Sequence, residues 1–137
     1  LALFRLGELG DESALREAAA AFRAVLEVFT RADAPAYWAM TQNNLGNTLS
    51  SLGERGDDQA LRDAVVAYRA ALEVNTRTRA PSDWADTTFN IAITLRVMGQ
   101  TGEARAAAQD ALAVYQQIGN AYRADRVRAL LARLGSN

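Results

Sequence analysis

The sequence predicts an all-α protein, an α-solenoid of antiparallel helix pairs, and three observations support that prediction. A stretch of the chain recurs in register, because residues 34–53 (APAYWAMTQNNLGNTLSSLG) return 46 positions later as residues 80–99 (APSDWADTTFNIAITLRVMG). A fixed period of this length is typical of stacked supersecondary units. Apolar residues recur at spacings of three and four, as they do along one face of a helix. Half of the 137 residues are hydrophobic and only two are proline, a composition that favours helices.

The first predicted helix is truncated, because residues 1–8 match only residues 47–54, the end of a helix in the next unit. Gly10 is expected to break the chain, with Asp11 as the N-cap of a second helix. That helix is predicted to run to about Arg31, and together the two form a partial first repeat. The second helix carries an apolar stripe of Leu15, Ala18, Phe22, Val25, Leu26 and Phe29.

Two complete helix pairs and a final helix follow. Pro35 and Pro81 suit the first turn of a helix, where the missing N–H costs nothing. Gly53 suits a left-handed C-terminal position, and Asp57 or Asp58 is expected to cap the next helix. These signals predict further helices at 35–52, 59–77, 81–98, 102–118 and 121–134, making seven in all. The predicted units are a partial repeat at 1–31, repeats at 34–78 and 80–118, and a capping helix at 121–134, all within one domain, 1–137.

Small residues recur where two helices must approach closely. The first helices of the pairs give Leu45-Gly46 with Leu49 and Ile91-Ala92 with Leu95, and the partner helices give Ala18-x3-Phe22 and Ala64-x3-Tyr68. This pattern resembles the tetratricopeptide repeat, and the resemblance covers essentially the whole chain. The usual unit has about 34 residues. Longer units with an Asn-Asn-Leu-Gly core resemble kinesin-light-chain-like tetratricopeptide repeats, and the resemblance implies a right-handed superhelix.

Two further positions predict packing rather than chemistry. Trp38 and Trp84 recur near the starts of their helices, which favours packing against the adjacent repeat over stacking on a ligand. Arg126 stands where Gly46 and Ala92 stand in the repeats. A bulky cation at the position of close approach is expected to prevent a further repeat from stacking, so the last helix is interpreted as a polar cap.

The composition argues against an enzyme. The sequence has no His, Cys or Lys, so the usual general bases, thiol nucleophiles, Schiff-base amines and imidazole metal ligands are missing. We therefore predict no catalytic residue, metal or cofactor. An enzyme that uses only carboxylates is the weaker alternative, because Asp11-Glu12 and Asp57-Asp58 sit where helix N-termini favour negative charge.

Charge and hydropathy also limit the partners. The 15 basic and 16 acidic residues give a formal net charge of −1, which provides no overall field to attract nucleic acid. No apolar run approaches the roughly 18 residues that a membrane span needs. The absence of cysteine gives no sign of an oxidising compartment, so a cytoplasmic location is expected.

The asparagines are the candidate binding residues. In tetratricopeptide arrays the first helix of each pair lines a concave groove, and the resemblance implies that Asn44 and Asn90 face it. A side-chain amide offers a donor and an acceptor to an extended peptide. The alternative that stays open is that both amides bond the backbone of a neighbouring helix. The predicted peptide-binding residues on this face are Arg5, Asn43, Asn44, Asn47, Ser51, Asp86, Phe89, Asn90, Ile93 and Arg96.

The sequence thus predicts a non-catalytic protein–protein interaction scaffold that binds a peptide or protein segment in this groove. Phe89 and Ile93 are expected to supply apolar contact, and Arg5 and Arg96 to select acidic side chains. The alternative is a self-assembling structural or regulatory module of a larger multidomain signalling protein. That module would form homo-oligomers through an open apolar N-terminal edge of Leu1, Leu3, Phe4 and Leu6.

Overall fold

The computed structural model describes the backbone of residues 2–135 and the side chains of residues 11–135. This part of the chain contains six α-helices and no strand: α1 (Ala2–Val28), α2 (Pro35–Glu54), α3 (Asp58–Leu72), α4 (Pro81–Val97), α5 (Thr101–Ile118) and α6 (Ala121–Leu134). Each helix packs against the next along the chain, and α4 also touches α2 and α6. The helices therefore stack as pairs, α2 with α3 and α4 with α5, which confirms the all-α repeat architecture.

The predicted break at Gly10 is absent, because α1 continues from Ala2 to Val28 and the two helices expected there are one. Residues 52–58 have almost the same sequence as residues 6–12, yet α2 ends among them at Glu54 and residues 55–57 form a turn in which Gly56 has a φ of 110°. The turn is favoured there because α2 and α3 each present a long face to the other. At residues 6–12 continued helical hydrogen bonding outweighs the cost of about 1 kcal/mol for each helical glycine.

The helix starts follow the prediction better than the helix ends. Pro35 and Pro81 both open their helices as expected. Gly53, however, is helical, and the left-handed residue after α2 is Gly56. Gly53 is needed for close packing instead, since a Cβ atom there would lie 2.1 Å from Cδ2 of Leu61.

Both helices that precede the proline loops, α1 and α3, end earlier than predicted. In each loop a threonine hydroxyl bonds the backbone in place of a further helical turn. Thr30 Oγ1 accepts from the backbone N of Asp33, and Thr76 Oγ1 accepts from that of Arg79, both at 3.2 Å. Such local bonds compete with helix continuation, and their repetition at equivalent positions explains why both loops have the same form.

Trp38 packs within its own helix pair, whereas Trp84 also contacts the neighbouring units, since the guanidinium of Arg77 from the preceding repeat lies 5.2 Å from the centre of its ring. Trp38 lies against Ala71 and Val74 at the end of α3. Trp84 lies against the cluster that contains Ala111, Val114 and residues of α6. Because aromatic side chains bury a large area, each tryptophan fixes the open end of a helix hairpin.

Gly46 sets the distance between α2 and α3. A Cβ atom at this position would lie 2.6 Å from Cδ1 and Cε1 of Tyr68, so the tyrosine ring rests directly on the α2 backbone. Tyr68 is almost fully buried, and this burial raises the pKa of its hydroxyl. In the next pair Ala92 takes the place of Gly46, and α5 offers the small, fully buried Ala104 and Ala108.

We predict that Gly46→Ala destabilises the fold by about 1–3 kcal/mol, although alanine gains about 1 kcal/mol over glycine in a helix. The reason is the clash between the new Cβ atom and the Tyr68 ring. Chemical denaturation measures the change. Gly102→Ala is the matched control, since a Cβ atom at Gly102 meets nothing within 4 Å. Equal effects of the two substitutions would contradict this account of the packing.

We also predict that the N-cap of α3 makes stability depend on pH. Asp57 accepts from the backbone N of Ala60 at 3.0 Å and from Nη2 of Arg16 at 3.3 Å. These bonds lower the pKa of Asp57 below its ordinary 3.8, and the bond from Ala60 has the largest effect. A carboxyl whose pKa is lower in the folded state stabilises the fold above its unfolded pKa. That contribution is lost as the pH falls through the folded pKa.

Asp57→Ala should therefore lower Tm near neutral pH, and the difference from wild type should shrink below about pH 4. Asp58→Ala is the control, because Asp58 is exposed in the first turn of α3 and the neighbouring Asp57 makes the capping bond. A Tm difference that stays constant down to about pH 2 would show that ionised Asp57 is not the stabilising species.

Candidate functional site

Seven of the predicted binding residues lie on α2 and α4, which are joined by hydrogen bonds between their side chains. They recur at spacings of three and four, which places them along one face of each helix. We call this the asparagine surface, and it consists of Asn43, Asn44, Asn47 and Ser51 from α2 with Asp86, Asn90 and Ile93 from α4.

Three side-chain hydrogen bonds form a polar seam between α2 and α4 along this surface. Thr87 Oγ1 donates to Asn43 Oδ1 at 3.3 Å, Asn90 Nδ2 donates to Asn47 Oδ1 at 3.4 Å, and Ser50 Oγ meets Thr94 Oγ1 at 3.1 Å. Thr94 gives its own hydrogen to the backbone O of Asn90 at 2.9 Å, so Ser50 is the donor to Thr94. The seam fixes the register of one repeat against the next.

Asn47 is the centre of the seam. Its Oδ1 accepts from the hydroxyl of Tyr68 at 2.7 Å as well as from Asn90. Because burial raises the pKa of Tyr68, its hydroxyl keeps its proton and acts as a donor. Both acceptor positions of Asn47 Oδ1 are then occupied. Nδ2 of Asn47 and Oδ1 of Asn90 have no bonding partner in the described part of the chain.

Asn44 differs from Asn90, although the two residues align in the repeat. Its backbone O accepts from Thr48 at 3.0 Å, but its side-chain amide forms no hydrogen bond with any described residue. Ser51 is half-buried, and its hydroxyl donates a hydrogen bond to the backbone O of Asn47 at 3.1 Å. The two asparagines occupy equivalent positions in the sequence. In the structure the side-chain amide of Asn90 is hydrogen-bonded to Asn47, whereas that of Asn44 has no hydrogen bond to a described residue.

Asp86 joins three helices and is therefore not a free carboxylate. Its Oδ1 accepts from the hydroxyl of Tyr115 on α5 and, at 2.8 Å, from Nη1 of Arg123 on α6. The charge of Asp86 raises the pKa of Arg123. Burial, assisted by the bond to Asp86, raises the pKa of Tyr115. This triad attaches α6 to the last helix pair.

Phe89 belongs to the core and not to the exposed surface. It is 8% exposed, and the guanidinium of Arg126 lies 5.6 Å above its ring, a cation–π arrangement. Exposed apolar side chains occur one helical turn from the asparagine surface: Met40 precedes Asn44 by four residues and is 50% exposed, and Val97 follows the half-buried Ile93 by four residues and is 40% exposed.

Two arginines were predicted to select acidic groups. Arg96 is exposed at the end of α4 and makes no ion pair with the described residues. Arg5 lies outside the residues whose side chains the structure describes, so its expected role stays a prediction. The residues of the predicted N-terminal edge, Leu1, Leu3, Phe4 and Leu6, lie outside them as well.

Sequence reasoning missed the residues that hold the site in place, namely Tyr68 as a donor, Thr87, Tyr115 and Arg123. One signal for the seam was present: Thr87 and Thr94 repeat Thr41 and Thr48 at the 46-residue offset. Threonine repeated within a helix, where it is a mediocre helix former, indicates a hydrogen-bonding role. No comparable repetition marks Tyr115 or Arg123.

The site offers amide donors and acceptors, a few apolar side chains and a guanidinium, which are groups for non-covalent binding. Among the described residues no cluster of three or more His, Cys, Asp or Glu is arranged to hold a metal ion. None of the helices in residues 2–135 is long and apolar enough to cross a membrane.

Comparison with known families identifies two repeat units. A family model described as tetratricopeptide repeat matches residues 38–78 and 84–124, which together exceed half of the chain. The matched segments cover α2 with α3 and α4 with α5, extending into the start of α6. Comparison with curated proteins and with solved structures gave no match.

We predict that Asn47→Ala destabilises the fold by about 1–3 kcal/mol, because it leaves the buried Tyr68 hydroxyl without an acceptor. Asn44→Ala should change stability by no more than about 0.5 kcal/mol, since no side-chain bond is lost. Denaturant titration compares the two. A double-mutant cycle with Tyr68→Phe should show coupling, because Asn47→Ala costs less once the hydroxyl is gone. Additive effects would contradict the assigned bond.

Proposed function

Because the chain belongs to the tetratricopeptide repeat family, whose repeats generally mediate protein–protein interaction, we propose that it is a scaffold for one extended peptide. The peptide lies across the asparagine surface, on the concave side of the helix stack. Members of this family are typically non-catalytic, and we propose neither a reaction nor a cofactor. Binding of a protein segment in a cytoplasmic setting, without nucleic acid or a membrane, stays our prediction.

The observation that carries this proposal is the pair of unused groups at the centre of the seam. Asn47 Nδ2 is a donor and Asn90 Oδ1 is an acceptor, and their amides are bonded to each other at 3.4 Å. An extended peptide presents a carbonyl acceptor and an N–H donor at every residue. The Asn47–Asn90 pair can therefore bond the backbone of an extended peptide whatever its sequence.

The pair is also held in position before a ligand arrives. Tyr68 and Asn90 fix the amide of Asn47, and Thr94 bonds the backbone beneath Asn90. Groups whose rotamers are already set lose less entropy on binding than free ones. Asn44, whose amide is not bonded, lies three residues before Asn47 on α2 and would add an adaptable contact next to this fixed pair.

Sequence preference would come from the edges of the surface. The exposed side chains of Met40 and Val97, with Ile93, provide apolar contact in place of the buried Phe89. Arg96 provides a positive charge at the end of α4 that favours an acidic ligand side chain. The expected ligand is therefore an extended segment with apolar and acidic residues.

A library of random linear peptides selected on the full chain tests this proposal. Enriched peptides, resynthesised, should lose about tenfold in affinity for the double variant Asn44→Ala/Arg96→Ala, as expected for one hydrogen bond and one exposed charge. Both positions are free of side-chain bonds to other described residues, so the fold should remain intact. Arg69→Ala, an exposed arginine on α3, is the control.

Two outcomes would overturn the proposal. One is a set of enriched peptides that bind the double variant as tightly as wild type. The other is the absence of any enriched peptide under conditions in which the chain is folded. Unequal losses for Asn44→Ala and Arg96→Ala alone would show which group contributes more.

A further inference from the structure

Three large side chains are exposed together beside the asparagine surface, at the N-terminal end of α2. Phe29 follows the last residue of α1, and its ring meets that of Tyr37 edge to face, with the ring centroids 4.9 Å apart. Met40 lies one helical turn beyond Tyr37 on the same face of α2. Phe29, Tyr37 and Met40 are 43%, 41% and 50% exposed. We call this group the aromatic corner.

The repeat does not require apolar residues at these positions. Forty-six positions later stand Asn75, Asp83 and Asp86, all of them polar. The first turn of α4 contains an acidic residue, whereas that of α2 contains none. The same loop and helix start therefore form with either set of side chains. Exposed apolar groups that cluster where the fold does not need them indicate contact with another molecule.

The accessibility of these positions belongs to the repeat and not to its place in the array. In the next unit Asp83 is exposed, and Asn75 and Asp86 are half-buried, although α2 and α3 lie before them. Val28 differs, because its equivalent Val74 is buried. Val28 is therefore not part of the aromatic corner.

The aromatic corner is held in position before a ligand arrives. The backbone N of Phe29 donates to the backbone O of Val25 at 2.9 Å, and Thr41 Oγ1 donates to the backbone O of Tyr37 at 2.8 Å. Two rings that meet edge to face offer a geometry that a third ring can extend. The thioether of Met40 also contacts aromatic rings favourably. The chemistry of the corner therefore favours an aromatic side chain.

We propose that the aromatic corner is a subsite for one aromatic side chain of the extended peptide that binds the asparagine surface. This inference rests on the proposed function, because one peptide must occupy both places. Tyr37, Met40, Asn44 and Asn47 recur at spacings of three and four along α2. They share one face of the helix, so a single peptide can contact all of them.

The geometry also sets the spacing of residues in the ligand. The bonds of the seam advance together along both helices, so α2 and α4 run parallel. Ser50 is bonded to Thr94, which places Arg96 level with Leu52, twelve residues beyond Met40. At 1.5 Å per residue the separation is roughly 18 Å, which an extended peptide spans in about five residues. The expected ligand therefore has an aromatic residue about five positions from an acidic one.

The methionine methyl groups report directly on this subsite. Peptides enriched on the full chain from the random library are resynthesised and titrated into chain with isotope-labelled methionine methyls. The chain has two methionines, and Met98, which packs against the core, is the internal control. We expect the enriched peptides to share an aromatic residue at the stated spacing. Its ring current should shift the Met40 signal saturably while the Met98 signal stays in place.

A substitution on each side of the contact tests the assignment. Phe29→Asn/Tyr37→Gln should bind the enriched peptides at least about tenfold more weakly. Replacement of the aromatic residue of the peptide by alanine should have the same effect. The two changes together should cost little more than either alone, since both remove one contact. Tyr122→Gln is the matched control, because Tyr122 is an exposed tyrosine on α6.

The outcomes separate this inference from the proposed function. Enriched peptides that lose affinity for Asn44→Ala/Arg96→Ala, yet share no aromatic residue or leave the Met40 signal unshifted, would overturn only the inference. The peptide substitution requires no change in the chain, so this result does not depend on the folding of a variant. Peptides that bind Asn44→Ala/Arg96→Ala as tightly as wild type would overturn both.

A second copy of the chain is the competing occupant. In that case the Met40 signal would shift with chain concentration in the absence of peptide. Sedimentation would show a dimer that Phe29→Asn/Tyr37→Gln abolishes. This result would overturn the inference, because the aromatic corner would then be an interface between copies.

Discussion

The contact between Gly46 and Tyr68 is the constraint on which the site depends. Only a residue without a side chain lets the tyrosine ring rest on the α2 backbone, since any Cβ atom there would lie 2.6 Å from ring carbons. That approach brings the Tyr68 hydroxyl within 2.7 Å of Asn47, which in turn holds Asn90 across the helix boundary. The close contact of Gly46 with Tyr68 inside one helix pair thus positions the amides of Asn47 and Asn90, which join two pairs.

The polar seam and the apolar core hold the repeats together in different ways. Apolar burial supplies most of the stabilising free energy but is non-directional. Hydrogen bonds contribute less each, yet a buried one that is lost costs about 1–3 kcal/mol. Ser50 and Thr94 are both buried and bonded to each other. A shift of α4 along α2 would therefore break this bond and leave a buried hydroxyl without its partner. The seam therefore specifies register, and the core makes that register stable.

The sequence predicted the fold well because repetition averages out local ambiguity. Pro35 and Pro81 mark equivalent helix starts, and the alternation of small and large residues identifies paired helices. It failed where one motif has two outcomes, since residues 6–12 continue a helix and residues 52–58 turn. It also did not separate Asn44 from Asn90, because the side chain that bonds Asn90 belongs to the preceding repeat. Leu1 and Phe22 stand 46 positions before Asn47 and Tyr68, so Asn44 has no equivalent polar partner in the sequence.

The first and the last described helices present different side chains. On α6, Arg126 covers Phe89, and Arg105 of α5 donates to the terminal carbonyls of Leu134 and Gly135, each at 3.0 Å. Guanidinium groups thus contact an aromatic ring of α4 and backbone acceptors at the end of α6. On α1 the corresponding surface is a stripe of alanine and valine that ends at Val28.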